Sequence, residues 1–127
     1  MAHNVHHEHL IKEVSELLKP ILSKSPQAIY VYLDDQHKIC NQKFADLLGY
    51  KSIQEWVDNE TPVSDVAQED QDKVIEAYGR ACEKFEASRL DVHINTRNGE
   101  TIHTQVIMAP ITYKNEVFVL HFINPLK

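Results

Sequence analysis

SRLDVHINTRNGETIHTQVIMAPITYKNEVFVLHFI, residues 88–123, reads as three consecutive β-strands joined by two tight turns. Asn98-Gly99 is the pair preferred in a two-residue type I′ turn, because both positions need φ > 0. That turn predicts Ile94 opposite His103, Val92 opposite Gln105 and Leu90 opposite Ile107. A second turn at Lys114-Asn115 predicts Ile111 opposite Phe118, Ala109 opposite Leu120 and Ile107 opposite Phe122. Directly opposed residues share a face. One face then carries Leu90, Val92, Ile94, Ile107, Ala109, Ile111, Phe118, Leu120 and Phe122, interrupted by His103 and Gln105. Two polar side chains on an apolar face mark the first place to expect a ligand.

The reverse face holds Ile102, Val106, Met108, Val119 and Ile123 beside Asp91, His93, Thr104 and His121. A sheet with one wet side alternates more cleanly than this, so a cover over the second face is expected. The stripe Leu10, Val14, Leu17 and Ile21, widened by Ile11, Leu18 and Leu22, has helical spacing and supplies that cover. Pro20 predicts a kink or break within this helix, assigned to residues 10–24. Ahead of it, residues 1–9 carry His3, His6, His7 and His9. Imidazoles this dense can hold a divalent metal, but the segment reads as a disordered end, and no metal site is assigned.

At 127 residues with a net charge of −6, the chain is long enough for one core and too acidic for an extended nucleic-acid surface. No run approaches membrane-spanning length and no secretory leader is evident, so a cytoplasmic location is expected. Cys40 and Cys82 lack a metal or redox spacing and read as free thiols.

Between the ends, Ala28 to Leu33 and His37 to Cys40 read as two strands around an Asp34-Asp35 turn. Asn41 caps a short helix that Gly49 ends, and Ser52 with Glu55 forms a capping box for another. Pro62 breaks the chain, and Asp65 to Phe85 ends in the longest internal helix, with Val74, Ile75, Tyr78, Ala81, Cys82 and Phe85 on one side. This order predicts an α+β domain with helices on one face of a five-stranded antiparallel sheet.

The ordered set Ser25-Pro26-Gln27-Ala28-Ile29, Asn41-Gln42-Lys43-Phe44…Leu48-Gly49-Tyr50, Val66 to Asp70 and Arg97-Asn98-Gly99-Glu100 resembles the PAS family. The resemblance implies strand order 2-1-5-4-3, a PAS domain over residues 25–127, and a ligand site between the sheet and the long helix. Carried over, the ligand-binding residues are Tyr78 and Cys82 on the helix with His103, Gln105, Leu120 and Phe122 on the sheet, flanked by Val74 and Ala81. It also implies a homodimer through Leu10, Val14, Leu17 and Ile21 with Val106, Met108 and Val119, and a downstream signalling protein as a further partner. Asp65-Val66-Ala67-Gln68 lacks the cysteine of flavin-binding members, and no histidine stands between Gln71 and Glu83 for haem, so no cofactor is assigned.

The expected function is a sensory module that binds a small molecule in its core, signals through dimerisation, or both. A pure interaction module is the alternative, and a core hollow with room for only a few waters would favour it. A small α+β enzyme is the third reading. It is disfavoured because the face assigned to the pocket lacks Asp and Glu, and no catalytic residue is assigned. The cavity so placed depends on Leu90, Ile107 and Phe122 all facing the long helix.

Overall fold

The computed structural model describes residues 2–126, with side chains from Val5 onward. Helix α1 (Ala2–Leu17) is followed by α2 (Lys19–Lys24), and strands β1 (Ala28–Asp34) and β2 (His37–Cys40) form the first hairpin. Short helices α3 (Gln42–Leu48) and α4 (Ile53–Val57), a 3₁₀ turn at Pro62–Asp65 and the long α5 (Gln68–Lys84) come next. Strands β3 (Ser88–Asn95), β4 (Thr101–Tyr113) and β5 (Glu116–Pro125) close the sheet. All five strands pair antiparallel with their neighbours in the order β2-β1-β5-β4-β3, as expected.

Local chemistry sets the helix boundaries. The Asn41 side chain accepts from Phe44 N–H at 3.0 Å and from Ile29 N–H at 3.1 Å, so the α3 cap also fastens that helix to β1. Gly49 ends α3 with φ 80°, and Ser52 Oγ accepts from Glu55 N–H at 3.1 Å to start α4. Pro20 lies in the first turn of α2, where its missing N–H costs nothing, and the leading helix breaks at Leu18 as expected. That leading helix begins at Ala2 rather than Leu10, and His7 is buried, so the expected disorder of residues 1–9 does not hold over residues 5–9. Met1 and the His3 side chain lie outside the described residues.

The β3–β4 connection differs from expectation by one residue. Thr96 N–H donates to Glu100 C=O at 2.7 Å and Gly99 N–H to Thr96 C=O at 3.1 Å, enclosing a three-residue loop, Arg97 to Gly99. Only Gly99 within that loop has positive φ, at 84°. This is a type I turn closed by a left-handed glycine rather than a type I′ pair. The register becomes Ile94 opposite Ile102, His93 opposite His103, Asp91 opposite Gln105 and Leu90 opposite Val106. A slip of one residue moves an entire strand's side chains to the other face. The β4–β5 turn keeps its predicted register, with Lys114 and Asn115 both at positive φ.

Strands β4 and β5 therefore turn the opposite side to the helices from the one expected, while Val92 and Ile94 on β3 face them as expected. Val92, Ile94, Val106, Met108, Val119 and Ile123 form one core with Phe44, Trp56, Ala77 and Ala81 beneath α3, α4 and α5. Val106, Met108 and Val119 are interior residues, which corrects their assignment to a dimer interface. Ala77 and Ala81, one turn apart on α5, are fully buried, and their small side chains allow close approach to the sheet. On the reverse face Leu10 and Val14 pack with Val31, Leu33, Phe118 and Leu120, beside Ile107's neighbours Ala109 and Phe122.

Candidate functional site

The largest hollow against the inner face lies between β1, β5 and the first half of α5. Tyr30 and Tyr32 project from β1, His121 from β5, and Val74, Ile75 and Tyr78 from α5. Pro62, Val63 and Val66 close one side, and Asp35 stands at the edge. Its volume is about 230 Å³. A deeper hollow of about 40 Å³ continues from Tyr30 and Val74 toward Phe44, Trp56 and Met108. The larger space opens to solvent beside Ile75, which is 55% exposed, and has room for several waters.

Alternation along the two central strands places these side chains. Tyr30 and Tyr32 face inward while Ile29, Val31 and Leu33 face the leading helix, and Tyr30 is directly opposite His121. His121 Nδ1 bonds its own strand's Val119 carbonyl at 3.1 Å, which leaves Nε2 as an acceptor. Burial lowers the His121 pKa to about 3, so the ring is neutral. Tyr30 stacks on that ring and its hydroxyl has no hydrogen-bond partner among the described residues. Burial, with Asp65 adding to it, raises the Tyr30 phenol above its ordinary range.

The remaining polar groups are engaged. Tyr32 donates to Asp35, and its ring meets Tyr78 edge-on at 5.1 Å. Tyr78 donates to Leu33 C=O at 3.3 Å. Asp65, at the deeper hollow, accepts from Tyr50, and burial raises its pKa. The Thr104 hydroxyl, fully buried on the inner face, donates to Val92 C=O at 2.8 Å.

Tyr78 and Val74 line the cavity as the sequence reading placed them. Cys82 lies one helical turn beyond Tyr78 and Ala81 is buried in the core, neither among the lining residues. His103, Gln105, Leu120 and Phe122 are corrected. Leu120 and Phe122 pack with the leading helix on the outer face, and His103 and Gln105 face outward near the β3 edge, opposite His93 and Asp91. His103 stacks on His93 at 4.6 Å, and His93 Nδ1 is 2.9 Å from Asp70. The condition that Leu90, Ile107 and Phe122 share the helix-facing side fails at Ile107 and Phe122, so the cavity between sheet and long helix meets the opposite side of β4 and β5 from the one predicted. His121 was missed for the same reason, and Tyr30 because its face is set only by the long-range pairing of β1 with β5. His121 had been placed on the outer face with His93.

No family model matches the sequence, and no curated protein does. Solved structures do. The PAS domain of an HTR-like protein from Haloarcula marismortui superposes with a TM-score of 0.65 at 21% identity, over 95% of this chain and 98% of that one. The PAS domain of a Colwellia psychrerythraea protein gives a TM-score of 0.70 at 17% identity, over 89% and 97%. The PAS domain of the fruit-fly ELK potassium channel gives 0.67 at 13% identity, over 87% and 95%.

Proposed function

The chain has the PAS fold, and on that premise we propose that it is a sensory module taking a small, uncharged, ring-bearing molecule into the cavity beside Tyr30, Tyr78 and His121. The observation carrying this reading is the pairing of an unengaged phenol with a neutral imidazole in a hollow where Tyr32, Asp35 and Tyr78 are already hydrogen-bonded. An apolar cavity of about 150 Å³ holds benzene, so 230 Å³ suits one ring with a few substituents. A donor on the ligand satisfies His121 Nε2, and an acceptor takes the Tyr30 hydroxyl. A carboxylate entering the same space loses its hydration without a cation to replace it.

The route outward follows the strands. Tyr30 and Tyr32 alternate with Val31 and Leu33, and His121 lies between Leu120 and Phe122. A ligand pressing on the inner side chains thus acts on the strands against which Leu10 and Val14 dock. The proposed output is a change in that docking, read by a downstream signalling protein or a second copy. Leu17 and Ile21 favour the second copy, being 63% and 46% exposed on the helices that dock there. Among the described residues no helix is long and apolar enough to cross a membrane, and a cytoplasmic, non-enzymatic role completes the proposal.

Screening neutral single-ring fragments and their carboxylate analogues by thermal shift and ligand-observed NMR tests the reading. Neutral fragments are expected to raise the melting temperature, and Val74→Trp, which fills the cavity, is expected to abolish the shift. Uniform silence across the fragments, or shifts that survive Val74→Trp, would leave the interaction module standing instead.

A further inference from the structure

Away from the cavity, three metal-competent side chains from separate elements converge where the leading helix meets the β1–β2 corner. His7 comes from α1, Asp34 ends β1 and His37 begins β2. His7 Nδ1 is 2.7 Å from one Asp34 oxygen and His37 Nδ1 is 2.7 Å from the other. One ligand atom from each residue lies within 4.8 Å of the other two. On the far side of the same ring, His7 Nε2 is 3.1 Å from a Glu116 carboxylate oxygen.

We propose that His7, Asp34 and His37 bind a divalent transition-metal ion of the zinc class, fastening the start of the leading helix to the sheet. Ligands at ~2.0–2.1 Å from tetrahedral zinc stand about 3.4 Å apart, which small side-chain rotations achieve from the distances here. Two imidazoles with one carboxylate select zinc, cobalt, nickel or copper over magnesium and calcium, which require oxygen. The charges of Asp34 and Glu116 balance a dication. Glu116 occupies the place of the outer carboxylate that orients a metal-binding imidazole through its second nitrogen. With three protein ligands, the fourth position is left to water or an exogenous donor.

The arrangement exceeds what a single His–Asp ion pair needs. Asp34 is bracketed by both Nδ1 atoms, and those contacts outweigh its burial to hold its carboxyl below the usual range. His7 is itself buried, so the ion would sit at the seam between helix and sheet rather than on a free tail.

Cobalt(II) titration of the full chain, followed by visible absorption, with zinc competition against a chromophoric chelator, tests the site. One equivalent is expected, with tetrahedral cobalt bands and a melting temperature raised by zinc. A combined His3→Ala, His6→Ala and His9→Ala variant is expected to retain all of this. Glu116→Gln is expected to weaken zinc by about tenfold to a hundredfold, and His37→Ala and Asp34→Asn by more, with native far-UV circular dichroism. Loss of binding in the combined variant while His37→Ala still binds would assign the metal to loose terminal histidines and overturn the proposal. Absence of any stoichiometric binding would overturn it equally.

Discussion

The Tyr30 ring lies nearly flat on the His121 imidazole, with centroids 3.9 Å apart and planes at 11°. The stack joins the two central strands across the inner face and depends on a neutral imidazole. With a folded pKa of about 3 against an ordinary 6.5, His121 takes up its proton far more readily once unfolded. Its stabilising effect is complete above pH 6.5 and is lost progressively as pH falls toward 3. Urea denaturation at pH 7 and pH 5 is expected to show wild type losing about 2 kcal/mol more than His121→Phe. Equal losses in the two proteins would mean that His121 titrates normally.

Lys38 gives a second, independent prediction. Its side chain is buried, and Nζ donates to the carbonyls of Asp35, Val57 and Asn59 at 2.5, 2.8 and 2.7 Å, above the Trp56 ring. One ammonium thus gathers the β1–β2 turn and the segment after α4. Burial lowers its pKa, with nearby carboxylates opposing. Lys38→Met fills the volume but strands three acceptors, at an expected cost of about 3 kcal/mol in chemical denaturation. Lys38→Arg is expected to recover only part of this, because a planar guanidinium does not fit three converging carbonyls.

How far the sequence determined these sites turns on two hairpins. Lys114-Asn115 adopts positive φ at both positions, so its register, and every β4–β5 pair, followed from the turn alone. Asn98-Gly99 is compatible with both a two-residue and a three-residue loop, and the choice falls to the Thr96–Glu100 bonds, which no local propensity fixes. One residue of slip grouped Val92 and Ile94 with Ile107, Leu120 and Phe122 and so turned the wrong side of β4 and β5 toward the helices, taking the ligand site with it. A signal was available. The observed register sets Ile94 against Ile102, Leu90 against Val106, and Asp91 against Gln105, so polarity matches at these pairs although Val92 meets Thr104 and Arg89 meets Ile107. The α3 and α4 caps were legible because each rests on short-range chemistry, and the strand order because the ordered motifs resemble the PAS family. Ala77, the Lys38 cage and the Asp34 cluster were not, because each depends on a long-range approach between elements.

The leading helix separates two kinds of apolar residue. Leu10 and Val14 are buried against the chain's own sheet, whereas Leu17 and Ile21 are exposed. Leu10→Ala is expected to cost about 3 kcal/mol at any protein concentration. A Leu17→Ser, Ile21→Ser double variant is expected to stay within ~0.5 kcal/mol of wild type as a monomer. If these residues join two copies, sedimentation velocity will show that variant dissociating at concentrations where wild type is dimeric. A double variant that sediments as wild type does would place the interface elsewhere.

The loop that displaced the predicted register can be tested at Gly99 and at Gly49, the left-handed end of α3 that packs against it. Gly99 has φ 84° with open space where a side chain would project, so Gly99→Ala meets only the backbone preference, about 1 kcal/mol. Gly99→Asn is expected to cost less, since asparagine tolerates that conformation. Gly49 has φ 80°, and a Cβ there would stand 3.0 Å from Asn98 Nδ2 in the same hairpin. Gly49→Ala therefore adds a steric conflict to the backbone cost, about 2 kcal/mol in all, and pushes α3's end away from the loop. Replacing Asn98 by alanine as well removes that conflict, so the double variant should recover part of the Gly49→Ala loss. Additive losses in urea denaturation would show that the Asn98 side chain yields to the new methyl without cost, leaving the Arg97 N–H to Leu48 C=O bond of 2.8 Å to tie the turn chemistry of residues 96–100 to the helical layer over the cavity.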